Sequence, residues 1–150
     1  MKTGCQKIGG SSTEELSDNV CFSLYTACNA LIRAYRPLLD QYDLTYPQYL
    51  VMQSLWFESE TNLTDLSKVT RLDMGTLTPI VKRLELKSLL KRCVNPNDER
   101  KKVISLTEEG LSMKQNALKQ KQKLLDKMTL STDDIEQLRH LCLGVINDLS

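Results

Sequence analysis

Cys21 and Tyr25 stand four residues apart in the stretch CFSLY, which on a helix puts a thiol and a phenol on one face. That pair can do redox chemistry. A thiol in the first turn of a helix lies beside backbone N–H groups that lack intrahelical partners, and these favour the thiolate. A thiolate attacks the distal oxygen of a hydroperoxide, leaving a sulfenic acid on the cysteine and releasing an alcohol. The phenol at i+4 can donate its O–H to the thiolate. Tyr35, in IRAYRPLLD further along the same run, supplies another phenol. The competing reading is packing, because free cysteine is among the most buried residue types.

The thiol needs a helix, and the pattern predicts one. From Val20 to Leu39 apolar residues recur at spacings of three and four, with Ser17 or Asp18 as the expected cap. A second helix is expected after Thr45-Tyr46-Pro47, running to Phe57, with proline in its first turn. LTDLSKVTRL reads as a short helix capped by Thr64, and DMGTLTPIVKRLELKSLL as a longer one. Pro79 would clash with the carbonyl of Gly75 inside that helix, so a start at Thr76 or later is expected. LLKRCV and VISL, separated by the turn-rich NPNDERKK, read as a β-hairpin. Thr107 can cap a polar helix with a thin stripe at Leu111, Leu118 and Leu125. Ser131 with Asp134 opens a last helix whose apolar face carries Ile135, Leu138, Leu141, Cys142, Val145 and Leu149.

A short helix, a turn, a longer helix and a basic hairpin make a winged helix-turn-helix. The expected fold is therefore mainly α with a small β-hairpin wing. A flexible leader is expected over 1–16 and a single domain over 17–150, with the winged module at about 47–107. The flanking helices, about 18–41 and 108–149, carry apolar stripes with nothing in the chain to cover them, and read as a dimerisation region.

Composition narrows the function. The chain of 150 residues is 41% hydrophobic and 26% charged, an ordinary globular balance. No apolar run approaches the roughly 20 residues that span a bilayer, and MKTGCQKIGGSSTEELSDN lacks the apolar core of a secretory signal. A cytoplasmic protein without a membrane partner is expected. The five cysteines, Cys5, Cys21, Cys28, Cys93 and Cys142, never form Cys-x-x-Cys, and His140 is the single histidine. No metal site or cofactor is expected. Cys28, Tyr42 and Tyr49 read as packing residues, Cys5 as part of the leader and His140 as a surface residue of the last helix.

Charge is uneven. Residues 68–102 hold 10 basic and 4 acidic side chains, whereas 1–67 hold 4 and 8, and 103–150 hold 6 and 7. A basic middle between acidic flanks is a footprint for a polyanion. Thr76, Thr78, Lys82 and Arg83 are expected at or near the half of the second motif helix that enters a major groove. There Lys and Arg can neutralise phosphate or read guanine, and Thr can bond phosphate or touch a thymine methyl. Ile80, Val81 and Leu84 are expected to pack inward. Arg100, Lys101 and Lys102 lie near the hairpin tip, where an arginine can enter a narrow minor groove. Solubilising charge is the competing reading for each residue alone.

TYPQYLVMQSLW, LDMGTLTPIVKRLELKSLLKR and NPNDERKKVISLTEEG resemble the MarR family of winged-helix repressors, over about residues 17–149. CFSLY, AYRPLLD, LTYPQYLV and GTLTP are similar to its organic hydroperoxide resistance branch. The resemblance implies a homodimer on a pseudo-palindromic operator in double-stranded DNA, and a regulator rather than an enzyme. It implies that Asp98 braces Arg100 in the wing. It also implies that Cys21 is the redox-sensing thiol, that Tyr25, Tyr35 and Tyr46 support it from both subunits, and that organic hydroperoxides are the inducers.

In some members a second cysteine near the end of the helix after the wing resolves the sulfenate. KQKLLDKMTLS has none. Capping by a low-molecular-weight thiol or further oxidation is the expected fate, with Cys142 kept as a candidate resolving partner. Three rivals stand: a repressor induced by a small aromatic ligand with Cys21 inert, a thiol peroxidase, and a nucleoid protein indifferent to sequence.

Overall fold

The computed structural model describes residues 15–150; Cys5 and the expected leader, apart from its last two residues, lie outside them. The elements run α1 (Val20–Gln41), α2 (Tyr46–Phe57), β1 (Glu60–Thr61), α3 (Leu63–Thr70), α4 (Met74–Leu86), β2 (Leu90–Asn95), β3 (Asp98–Leu106), α5 (Glu108–Asp126) and α6 (Thr132–Leu149), after a single 3-10 turn at Leu16–Asp18. The three strands form one antiparallel sheet in the order β1-β3-β2, with Glu60 opposite Ser105 and Leu90 opposite Leu106. β1 was not foreseen; two residues are too short to show a period.

Local chemistry sets the helix boundaries. Asn19, not Ser17 or Asp18, caps α1 by accepting from the Phe22 N–H. Thr45 and Gln48 form a complete capping box at α2, with Pro47 in the first turn where its missing N–H costs nothing. Asn62 rather than Thr64 caps α3. α4 begins at Met74, two residues before the expected start, because the Asp73 carboxylate accepts from the Thr76 N–H and hydroxyl. Pro79 is thus inside the helix, and the cap outweighs the one backbone bond the proline removes. Thr107 caps α5, and Ser131 with Asp134 closes a capping box at α6, both as expected.

The core is built on α2, whose Tyr49, Val51, Met52, Leu55 and Trp56 are all buried. Around it close Tyr35, Leu38 and Leu39 of α1, Leu66 of α3, Leu77, Val81 and Leu84 of α4, Ile104 of β3, and Met113, Ala117 and Leu124 of α5. The expected α5 stripe is displaced: Leu111 is exposed, Leu118 and Leu125 are half-buried, and the buried edge is Gly110, Met113, Ala117 and Leu124. Ile80 is half-buried against the core. α6 buries no residue, and Val20, Phe22, Tyr25, Leu31 and Ile32 of α1 are also exposed.

One close approach holds the wing against α5. A Cβ built on Gly110 would lie 2.0 Å from the Leu89 carbonyl oxygen. The Gly110 carbonyl accepts from the Trp56 indole at 2.9 Å, and the Lys114 ammonium donates to the Trp56 carbonyl. Gly110→Ala must therefore push α5 away from Leu89, the residue just before β2. We expect it to destabilise the protein by about 2 kcal/mol or more, read by chemical denaturation at fixed protein concentration; wild-type stability would mean that α5 and β2 can separate freely.

Candidate functional site

Two groups of residues stand out, one on the winged module and one where α1 meets α2. On the module, Thr76 and Thr78 fall in the N-terminal half of α4 and are exposed. Their hydroxyl protons are already used: Thr76 donates to Asp73 at 2.6 Å and Thr78 to the Met74 carbonyl at 2.8 Å. Each therefore presents only lone pairs and a methyl group outward. Donation to phosphate, one of the expected roles, is not open to them in this arrangement. The early start of α4 moves Lys82 and Arg83 into its C-terminal half, where they are exposed. That placement suits phosphate contacts better than base edges. Hydrogen bonds from Thr76 hold the Asp73 carboxyl below its ordinary range, so the cap is fully formed at neutral pH.

At the hairpin tip Asp98 accepts from the Arg100 backbone N–H at 3.1 Å, and its carboxylate faces the Lys101 ammonium at 4.0 Å. The brace thus acts on the Arg100 main chain, and no ion pair holds the guanidinium among the described residues. Arg100, Lys101 and Lys102 share a cleft with Asn62, Thr64 and Met74, so the wing, the start of α3 and the start of α4 face one space.

Two ties that the sequence did not announce fix α4. Glu85 holds Arg92 of β2 through Nε at 2.9 Å, and that guanidinium keeps the Glu85 carboxyl low. Lys87, just past α4, donates to both the carbonyl and the carboxylate of Asp43 in the α1–α2 turn. Asp43 has φ 50°, a left-handed conformation that aspartate tolerates. Both ion pairs join residues remote in sequence or on different elements, so no spacing rule reveals them.

At the α1–α2 corner the rings of Tyr35, Tyr46 and Tyr49 cluster, with centroids 5.3 Å apart for Tyr35–Tyr46 and Tyr35–Tyr49 and 6.0 Å for Tyr46–Tyr49. Tyr49 is 1% exposed, and its hydroxyl has no partner of good hydrogen-bond geometry among the described residues, with the Tyr35 hydroxyl as its polar neighbour. Burial raises all three phenols above the ordinary range. For Tyr46 the electrostatic influence of nearby Cys28 adds to the rise. All three remain protonated donors at neutral pH.

Cys21 is exposed in the first turn of α1. Tyr25 is 67% exposed, and no hydrogen bond joins it to Cys21. Tyr35 lies fourteen residues along the same helix from Cys21, about 21 Å at 1.5 Å per residue. Within one chain, then, the structure does not bring the thiol together with Tyr35. Cys28, expected in the core, is exposed instead, because none of the described residues covers that part of α1. Cys93 is exposed on β2, Cys142 is half-buried on α6 and His140 is exposed there. Tyr42 packs against the core and accepts from Asn116 at 2.7 Å. No cluster able to hold a metal ion occurs among the described residues, nor is any helix long and apolar enough to cross a membrane.

The model of the SarA/Rot transcriptional regulators matches residues 33–117. The organic hydroperoxide resistance transcriptional regulator of Bacillus subtilis is 37% identical over 135 residues, 90% of this chain and 92% of that protein. The chain belongs to the SarA/Rot/MarR-type winged-helix regulators. Reduced AbfR bound to DNA, a protein of Staphylococcus epidermidis, superposes with a TM-score of 0.75 at 27% identity, covering 89% of this chain and 92% of that one. The same relative has been solved in disulfide-formed and overoxidised states. Wild-type MarR of E. coli matches with a TM-score of 0.66 at 26% identity, over 85% of this chain and 96% of that one. The protein is a DNA-binding transcriptional regulator of the MarR type and not an enzyme.

The Asp73 cap fixes the N-terminal end of α4, the end expected from the sequence to meet a major groove. Asp73→Ala is expected to cost about 1 kcal/mol of helix stability and to lower affinity for DNA from its own promoter about fivefold, with Asp73→Asn restoring most of it. Fluorescence anisotropy at one salt concentration measures both; equal binding by all three would mean that the cap is not needed to place α4.

Proposed function

We propose that the regulator is a redox-responsive repressor that leaves its operator when an organic hydroperoxide oxidises Cys21. The observation that carries this reading is the pairing of an exposed thiol at the start of α1 with a cluster of buried, protonated phenols at its other end. Such phenols are poised to donate to a thiolate, and of the three tyrosines that the resemblance assigns to Cys21, Tyr35 and Tyr46 belong to this cluster while Tyr25 is exposed on α1. Tyr35 lies fourteen residues along α1 from Cys21 and Tyr46 lies beyond it at the start of α2, so the thiol they serve belongs to a second copy. The bare faces of α1 and α6 give that copy a place to bind. The names of the relatives, one a hydroperoxide resistance regulator and one solved in reduced and oxidised forms, support the same reading.

In the proposed step the Cys21 thiolate attacks the distal peroxide oxygen. An S–O bond forms, the O–O bond breaks, sulfur loses two electrons and the departing alkoxide takes a proton to become the alcohol. A small cellular thiol then condenses with the sulfenic acid, releasing water. Cys142, half-buried on α6, remains the protein's own candidate for that role.

Oxidised sulfur no longer accepts the phenol hydrogen bonds as the thiolate did, and the α1–α2 corner of the partner loses a ligand. The Lys87–Asp43 tie connects that corner to the end of α4, and Glu85–Arg92 connects α4 to the wing. On the operator, two copies present α4 to successive major grooves of a pseudo-palindrome, with Thr76 and Thr78 at base edges and Lys82, Arg83, Arg100 and Lys101 at the backbone and minor groove. A change in spacing worth about 1.4 kcal/mol weakens binding tenfold.

A second reading has one observation in its favour. A groove between α1 and α5 has an apolar floor of Tyr35, Leu38 and Leu124 rimmed by Arg33, Lys123 and Lys127, a setting for an aromatic carboxylate.

The test is promoter-DNA binding by reduced protein titrated with cumene hydroperoxide. Wild type should release DNA near one equivalent per chain. Cys21→Ser should bind within about twofold of wild type and stay bound under peroxide. Release of both proteins, or release of neither unless an aromatic acid is added, would refute the sensing role of Cys21.

A further inference from the structure

We propose that Met74, the first residue of α4, is a specificity-determining residue that reads the C5-methyl group of thymine in the operator. The inference rests on α4 lying in a major groove, as the proposed function has it, and owes nothing to Cys21. From Asp73 to Val81 no side chain presents a free hydrogen-bond donor. Thr76 and Thr78 have spent their hydroxyl protons on Asp73 and on the Met74 carbonyl. Asp73 is a carboxylate held in the cap, and Met74, Gly75, Leu77, Pro79, Ile80 and Val81 have no side-chain donor at all. Guanine shows only acceptors in the major groove, N7 and O6, so the side chains of this stretch have nothing to offer it. Thymine shows a methyl group there.

The place of Met74 gives it that task. It is 45% exposed and lines the cleft that also holds Arg100, Lys101 and Lys102 of the wing. With the wing in a minor groove and α4 in the adjacent major groove, one sugar-phosphate strand must pass between them. The three cations suit that strand, whereas a thioether offers a phosphate nothing. Its use at the mouth of the cleft is apolar contact with the bases just inside, and an unbranched side chain with three rotatable bonds can reach and fit them. A single exposed apolar side chain is ordinary on a protein surface; one set among phosphate-binding cations is not. Met74 and Thr78 are four apart and share a side of α4, so the fixed methyl group of Thr78 extends the same apolar surface. A Cβ on Gly75 would stand 3.1 Å from Asp73 Oδ2, so the bare backbone there protects the cap and lets base edges approach closely. Lys82, eight residues from Met74 and about 12 Å further along the helix, is left to the phosphates.

The experiment titrates full-length reduced protein against two duplexes of its own promoter. One is normal; in the other every thymine is replaced by deoxyuridine, which lacks only the methyl group. Withdrawing one methyl group from water is worth about fourfold in affinity, so wild type should prefer the normal duplex by about fourfold or more. Met74→Ala should cut that preference to half or less, and Met74→Leu, which keeps an apolar side chain of similar volume, should hold it. Lys82→Ala should weaken binding to both duplexes alike and leave the preference standing. Any difference in stiffness between the two duplexes is the same for every variant, so it does not move with Met74.

A smaller preference in wild type, a preference that Met74→Ala leaves above half its value, or one that Lys82→Ala lowers as much as Met74→Ala does, overturns the proposal. Equal binding to the promoter and to a scrambled duplex of the same composition would remove the operator reading along with it. No peroxide enters the experiment, so the sensing role of Cys21 stands or falls separately.

Discussion

The aromatic packing at the α1–α2 corner is the constraint on which the rest depends. α1 has 22 residues, yet only Tyr35, Leu38 and Leu39 are buried, all in its last two turns. Tyr35 meets Tyr46 and Tyr49, and Tyr49 meets Trp56 edge-on at 5.9 Å, so a column of rings runs from the long helix into the centre of the winged module. Each ring pair contributes about 0.5–1.5 kcal/mol beyond area burial. Trp56 then passes the connection to α5 through the Gly110 carbonyl. Remove the column and α1 has no seat.

The same corner explains why the proposed chemistry sits beside the core without being enclosed by it. A phenol in water is already a hydrogen-bond donor; burying it makes the donor persistent, because ionisation becomes harder. Burial is the largest cause of the rise at Tyr35, Tyr46 and Tyr49. The Tyr49 hydroxyl has given up water with only the Tyr35 hydroxyl beside it, a cost of up to about 1–3 kcal/mol. Packing of its ring against Tyr35, Tyr46 and Trp56 offsets that cost.

Much of this was legible from residue types. The order of helices and the hairpin followed from spacing, because amphipathic helices and a turn of Asn, Pro and Asp leave strong signatures. The resemblance reached the right family. Boundaries were less visible where two cap-forming residues lay close together: Asn19 won over Asp18, Asn62 over Thr64, and Asp73 overrode the penalty of Pro79. The displaced stripe of α5 is a tertiary effect, since Gly110 must face Leu89 and that sets the rotation of the helix. Cys28 was misread for a related reason. An apolar stripe says that a face is covered, not by what, and none of the described residues covers Cys28.

The hydroxyls of Thr76 and Thr78 show how local structure narrows recognition. Their types suggested donors or methyl groups, and the helix has spent the protons on Asp73 and on the Met74 carbonyl. What remains toward a major groove is a pair of acceptors and methyls. Acceptors match the amino groups of adenine and cytosine, and methyls match thymine. The long basic side chains, by contrast, sit where they find phosphate whatever the sequence. In the proposed reading, sequence discrimination falls to the short side chains held by the Asp73 cap, and overall affinity to lysines and arginines on α4 and the wing. A change in the α1–α2 corner reaches both through the tie between Lys87 and Asp43, since it joins that corner to the end of α4. In the proposed reading, moving α4 displaces Thr76, Thr78, Lys82 and Arg83 as one unit.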